Sequence, residues 1–188
     1  MKWIVKGFIV AIIAAFALSA AACGPTVYAR KIEDIRGTYT LKEYYVSENG
    51  QNVSFAGKFE YFYLVVTEGA SIRIVYKNSG EKGYRADEYG YVCKYQTGSD
   101  EYIEELKFRF IMPDSPVEGG LVVNYLTVTA EDILACQKIV YEAASENGKP
   151  SVWKQIYISL ERISGDTDLE FVEEMLGYKI SLYEEAEE

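Results

Sequence analysis

The sequence predicts a mainly β protein: an eight-stranded antiparallel up-and-down barrel with a C-terminal helix and a short final strand. Apolar and polar residues alternate with a period of two, as where Ile72, Ile74 and Tyr76 lie opposite Arg73 and Lys77. Short segments rich in glycine, asparagine and serine separate these runs, which is typical of hairpin turns. Seventeen tyrosines strengthen the prediction, because tyrosine suits half-buried strands. Closing a meander into a barrel removes its free edges.

Eight strands follow one another along the chain. The first turn, at residues 47–52, is built on Asn49-Gly50, and residues 78–83, 97–100 and 145–150 carry similar turn residues. A longer loop at residues 113–120 contains two prolines and two glycines. Short links favour pairing of successive strands. The strands are predicted at residues 37–46, 58–67, 71–77, 84–96, 101–111, 121–129, 131–144 and 152–163.

One of these strands is ambiguous. Residues 131–144 fit a helix through Ile133, Cys136 and Val140, and they also fit a strand face through Ile133, Ala135 and Ile139. The next segment has the composition of a turn and leads into a clear strand at residues 152–163. A turn between two antiparallel strands explains this order better, so we predict a strand.

The period changes after the eighth strand. Thr167 and Glu170 have the spacing of a capping box, which predicts the start of a helix. Gly177 is expected to end that helix in the left-handed conformation. Alternation then predicts a short ninth strand at residues 178–182. The apolar face of the helix is formed by Leu169, Val172 and Leu176.

The first 22 residues have the three parts of a secretory signal. Lys2 and Lys6 form a basic region, residues 7–18 are apolar, and residues 19–22 are small. A membrane-spanning helix needs about 20 apolar residues. The apolar run here is shorter and Gly24-Pro25 interrupts it, so a retained membrane span is the weaker interpretation.

Cys23 directly follows Ser19-Ala20-Ala21-Ala22. Ordinary signal peptidase cleavage after Ala22 would leave a free N-terminal cysteine. Alternatively, residues 19–23 resemble the lipobox of bacterial lipoproteins, in which small residues precede a cysteine that is acylated and becomes residue one. We favour this second alternative. The resemblance implies that Cys23 is a lipidation site and that the protein is extracytoplasmic, held at the bacterial cell membrane by its acyl chains.

The predicted organisation has four parts, and the length after the leader suits one domain with a sizeable core. In chain order they are a lipoprotein signal peptide at residues 1–22, the lipidated cysteine and a tether at 23–35, the barrel at 36–164, and a helix, short strand and acidic tail at 165–188.

Charge and composition exclude several functional classes. Without residues 1–22 the chain keeps 29 acidic and 17 basic residues, a net charge of −12, so nucleic acid is not an expected partner. The sequence has no histidine, which removes histidine triads and histidine metal sites. Glu104-Glu105 suggests a carboxylate pair, but adjacent strand residues point to opposite faces. Asp166, Asp168 and Glu170 lack the spacing of a calcium loop. We therefore expect no enzyme, cofactor or metal.

Cys93 and Cys136 are the cysteines that remain beyond Cys23. In an exported protein they admit one intramolecular disulfide. Each lies among apolar residues, where a free cysteine packs as a small hydrophobic side chain. We prefer free thiols, although the sequence does not decide between the two states.

The order of elements, together with two short motifs, resembles the lipocalins. Gly37-Thr38-Tyr39 stands in the first strand, where lipocalins have Gly-x-Trp. Arg162 ends the last barrel strand, where lipocalins place an arginine over that tryptophan. The resemblance covers about residues 36–183 and implies that Arg162 closes the barrel base by a structural cation–π contact with Tyr39. The alternative is that Arg162 is a solvated residue at a strand end.

Two functional hypotheses follow. A lipocalin-like barrel implies a membrane-anchored protein that binds a small apolar ligand at the cell envelope. The alternative is a surface module for protein–protein interaction whose barrel is filled by its own side chains. Alternation along the strands gives the candidate lining of a ligand cavity: Tyr61, Tyr63, Tyr91, Tyr95, Phe108 and Phe110.

Overall fold

Ten strands form one antiparallel sheet that curls into a nearly closed barrel. The computed structural model describes residues 30–48, 51–113, 121–130, 132–141 and 153–182. The predicted signal peptide, Cys23, most of the tether and the acidic tail lie outside these residues. The strands are β1 Gly37–Glu48, β2 Gln51–Ser54, β3 Phe59–Val66, β4 Ser71–Asn78, β5 Arg85–Gly90, β6 Val92–Tyr95, β7 Ile103–Met112, β8 Leu121–Ala130, β9 Ile133–Tyr141 and β10 Trp153–Ser164.

The strands pair in chain order, and the ring is completed where β1 pairs with β10. This confirms the predicted up-and-down barrel, in which each hairpin places successive strands side by side. The ambiguous stretch is a strand, as predicted, because β9 pairs with β8 on one side and β10 on the other. β2 pairs with the C-terminal part of β1, and β3 pairs with the N-terminal part of β1 along the same edge.

The predicted strand at residues 84–96 is divided at Tyr91. Its first half, β5, pairs with β4, and its second half, β6, pairs with β7. The Tyr91 amide donates to the Ala70 carbonyl at 3.1 Å, which holds the break against the start of β4. Among the described residues, the C-terminal part of β7 pairs with β8 alone. The barrel is therefore not closed by strand pairing between β5 and β7.

Two short helices pack against the barrel at different places. Helix α1, Ile32–Ile35, lies at the end where β1 begins, and Ile35 is buried there. Helix α2, Glu170–Leu176, packs on the outside of the barrel. No helix in the described part of the chain has the length and apolar content needed to cross a membrane.

Two details of the C-terminal prediction were wrong. The Glu170 amide donates to Asp168 Oδ1 at 2.9 Å, so Asp168 has the capping role that the sequence assigned to Thr167. The residues after α2 form no strand as far as Leu182, because their apolar side chains pack on the outer face of the barrel. Gly177 ends the helix with φ 77°, as predicted.

Candidate functional site

The inside of the barrel is filled with apolar side chains. Inward residues from nearly every strand form one continuous cluster, in which Leu64, Leu106 and Ile156 are almost completely buried. Phe62, Phe110 and other apolar residues surround a cavity of about 10 Å³. A volume of ~10–15 Å³ is the least that holds a single water molecule. The described side chains around this cavity therefore pack closely against one another.

Three of the six predicted cavity residues lie in the barrel interior. Tyr91, Phe108 and Phe110 are buried in the central cluster. Phe110 lies edge-to-face with three rings, and its ring centroid is 6.2 Å from that of Phe62. Tyr95 follows Tyr91 on the same face of the strand, but it lies beyond the barrel end and is 45% exposed.

Tyr61 and Tyr63 were assigned to the wrong face. They lie on the outside of β3, because Phe62 and Leu64 take the inward positions. Alternation alone does not distinguish the two faces of a strand that is apolar on both, so a shift of one residue inverts the assignment. The two tyrosines belong to a second cluster under helix α2, formed with Val65, Val75, Ala86, Leu169 and Val172.

Tyrosine hydroxyls attach the C-terminal segment to this outer face. The hydroxyls of Tyr61 and Tyr178 form a short hydrogen bond, and the Ser181 amide donates to the Tyr84 hydroxyl at 2.9 Å. The ring centroids of Tyr84 and Tyr178 are 5.5 Å apart. Burial and the Tyr178 hydroxyl raise the pKa of Tyr61, so the Tyr61 hydroxyl remains protonated at neutral pH.

At the barrel base, Arg162 acts through its hydrogen bonds. Tyr39 and Arg162 face each other across β1 and β10, as the resemblance to lipocalins implies. The described Arg162 guanidinium donates to the Asp34 carbonyl at 2.9 Å and the Ser164 carbonyl at 3.3 Å, in place of the expected cation–π contact with Tyr39. It therefore ties helix α1 to the end of β10.

Tyr39 secures the same helix from inside the barrel. It is 1% exposed, and its hydroxyl donates to the Ile35 carbonyl at 2.6 Å. Burial raises the pKa of Tyr39, and the positive charge of Arg162 partly opposes this effect. Gly37 makes the close packing possible: a Cβ at this position would collide with the Ser164 carbonyl oxygen and lie 2.8 Å from Arg162 Nε.

The free-thiol prediction agrees with the structure. Cys93 and Cys136 lie on β6 and β9, with β7 and β8 between them. Cys93 faces Leu106, which faces Leu126 on β8. Three strand spacings of about 4.8 Å exceed the ~7 Å limit on the Cα separation of a disulfide. Burial raises the pKa of Cys136 to about 11, so its thiol is protonated at neutral pH.

The acidic residues singled out in the sequence have structural partners. A bulge in β7 turns Glu104 and Glu105 toward the same lysine, which corrects the expectation that adjacent strand residues diverge. Lys94 Nζ lies 2.5 Å from Glu104 and 2.7 Å from Glu105. Within the described residues, no group of three or more histidine, cysteine, aspartate or glutamate side chains is arranged to hold a metal ion.

The chain reaches the barrel along the β6–β7 hairpin, a feature that sequence reasoning missed. Arg30 and Ile103 exchange two backbone hydrogen bonds, of 3.1 and 2.8 Å. Lys31 forms an ion pair with Glu101 and lies 5.9 Å from the centroid of the Tyr102 ring. The sequence predicted residues 23–35 as a tether, but from Arg30 onward the chain is part of the barrel base. No local pattern marks a single bridge to a strand so far along the chain.

Comparison with known proteins gives no family assignment. No family model matches this chain, and no curated protein matches its sequence.

Proposed function

We propose that this protein is a lipid-anchored interaction module of the bacterial cell envelope, in which the filled barrel serves as a rigid scaffold. The observation that carries the proposal is the packed interior, with its cavity of about 10 Å³. Ligand pockets of proteins usually measure ~300–1,000 Å³. A barrel filled by its own side chains leaves its outer surface and loops for recognition.

The anchor is the other half of the proposal. Ser19 to Cys23 supplies the lipobox-like segment, and the first described residue of the barrel base, Arg30, follows shortly after it. Two or more acyl chains at Cys23 would hold the protein at the membrane stably, because one chain gives only marginal attachment.

The anchor is tested by replacing its attachment point. Wild-type protein and the Cys23→Ala variant are produced in a bacterium fed an alkyne-tagged fatty acid. The wild type should incorporate the tag and remain in the membrane fraction at high salt. The variant should lose both properties. A variant that stays membrane-bound at high salt would contradict lipid anchoring.

The interaction module is tested against the small-ligand hypothesis in the same preparation. Native mass spectrometry of the gently extracted protein should show the mass of the lipidated chain alone. Photo-crosslinkers at the exposed outer positions Ile111 and Ile139 should give discrete adducts with a protein of defined mass, whereas a crosslinker at buried Leu106 should give none. A co-purifying apolar molecule of constant mass would favour the ligand hypothesis, for which the described cavity must expand at least about thirtyfold.

A further inference from the structure

The β6–β7 hairpin lies at the end of the barrel where the N-terminal segment beginning at Arg30 joins it. β1 begins at this end and β10 finishes there, and the turn between β6 and β7 lies at the same end. Two aromatic side chains flank that turn. Tyr95 is 45% exposed and Tyr102 is 42% exposed. The filled interior makes no use of these two rings in the described structure.

The hairpin is fastened to the first described residues of the chain. Two backbone hydrogen bonds between Arg30 and Ile103 pair the N-terminal segment with β7. The ammonium of Lys31 reinforces this attachment by pairing with Glu101 and lying over the Tyr102 ring. The position of the hairpin is therefore coupled to the point at which the tether ends.

The tether is too short to let this end move far from its anchor. Seven residue steps separate Cys23 from Arg30. Fully extended, they reach at most about 25 Å. β1 runs away from this end for twelve residues, which is about 40 Å of strand. If Cys23 is in the membrane, the hairpin is the part of the barrel held nearest to it.

Two lysines offset part of the negative charge around the hairpin, whose turn also carries the exposed Asp100. Glu101 is paired with Lys31, and Glu104 and Glu105 are both paired with Lys94. Ion pairing reduces the repulsion that these carboxylates would feel near phosphate headgroups. Tyrosine rings are enriched at the headgroup level of membranes, because the ring is apolar and the hydroxyl remains hydrated.

We infer that the β6–β7 hairpin faces the bilayer, and that Tyr95 and Tyr102 contact its headgroup layer. The inference rests on the proposed lipid anchor. The partner is the lipid surface itself, and the contact fixes the orientation in which the opposite end of the barrel is presented away from the membrane.

The test measures the distance of each barrel end from the membrane. The full-length lipoprotein is extracted and reconstituted into phosphatidylcholine vesicles that contain a headgroup nitroxide lipid. A small thiol-reactive fluorophore is placed at Thr97→Cys in the hairpin turn or, as the matched control, at Asn52→Cys at the opposite end; both positions are exposed. Labelled wild type gives the background from Cys93. We expect the nitroxide to quench the Thr97→Cys probe at least threefold more than the Asn52→Cys probe.

The tyrosines are tested in the Thr97→Cys background. Replacing Tyr95 and Tyr102 with serine should at least halve the quenching while the circular dichroism of the barrel is retained. If the double variant does not fold, Tyr102→Ser alone should lower the quenching measurably. Unchanged quenching in a folded variant would overturn the tyrosine contact.

The outcomes separate this inference from the anchor proposal. Equal quenching at the two ends, in protein that floats with the vesicles, would overturn the orientation and leave the anchor intact. Wild-type protein that does not float with the vesicles would overturn the anchor and the orientation together.

Discussion

Replacing Phe110 with alanine tests whether the barrel is a packed core. Phe110 is 5% exposed, and its ring lies edge-to-face with Phe62, Tyr76 and Tyr89 at centroid distances of 5.7 to 6.4 Å. The change removes about 100 Å³ of side chain, and at ~24 cal/mol per Å³ an open cavity of that size costs about 2.4 kcal/mol. The lost transfer free energy adds about 1.5–3 kcal/mol. We therefore expect the free energy of unfolding to fall by about 4–5 kcal/mol.

Urea denaturation followed by circular dichroism measures this loss. With an m-value of about 2 kcal/mol per molar urea, the midpoint should fall by about 2 M. The matched control is Ile111→Ala, because Ile111 is the next residue of β7, points outward and is 54% exposed. Its effect should stay within about 0.5 kcal/mol. A loss below about 1 kcal/mol in Phe110→Ala, or equal losses in the two variants, would refute the packed interior.

Three further predictions concern the barrel base, the thiols and the C-terminal helix. Gly37→Ala should lower the free energy of unfolding, measured by urea denaturation, by about 2–4 kcal/mol, because its Cβ meets the Ser164 carbonyl. Gly177→Ala should lower it by about 1 kcal/mol, because only its left-handed backbone is strained. Native alkylation should modify Cys93 slowly and leave Cys136 unmodified at neutral pH, and rapid double labelling on mass spectrometry would contradict the buried position of Cys136. Burial raises the pKa of Tyr39, so the contribution of Tyr39 to the free energy of unfolding is complete below about pH 10 and declines above it. Tyr39→Phe should reduce this decline, which is measured as the urea midpoint at a series of alkaline pH values.

Strand existence and order were predictable because alternation and turn composition are local signals. β4 shows this best, since Ile72 and Ile74 are buried on the predicted face. The pairing of β1 with β10 followed from the need to remove free edges, which is a property of the whole sheet. The register of Tyr39 opposite Arg162 followed from the lipocalin resemblance.

The features that were missed depend on interactions between distant parts of the chain. Tyr61 and Tyr63 face outward because helix α2 covers an outer face that is itself apolar. The break at Tyr91 arises because one strand must leave β4 and join β7, and a bulge at Glu104 adjusts the register there. The role of Arg162 was predicted as a ring contact, but its guanidinium donates to the Asp34 carbonyl of helix α1 and the Ser164 carbonyl of β10.

The pairing of β1 with β10 has a consequence for when the protein can fold. Thr38 faces Ser164, so the longest ladder of the barrel joins nearly the first described residues to nearly the last. Non-local pairing of this kind slows folding, because a long loop must close before its contacts stabilise it. In a chain that emerges N-terminus first, β1 lacks this partner until β10 has emerged. The barrel can close only after residues as far as Ser164 have been released, so the N-terminal strands have to remain soluble without their final partner until then.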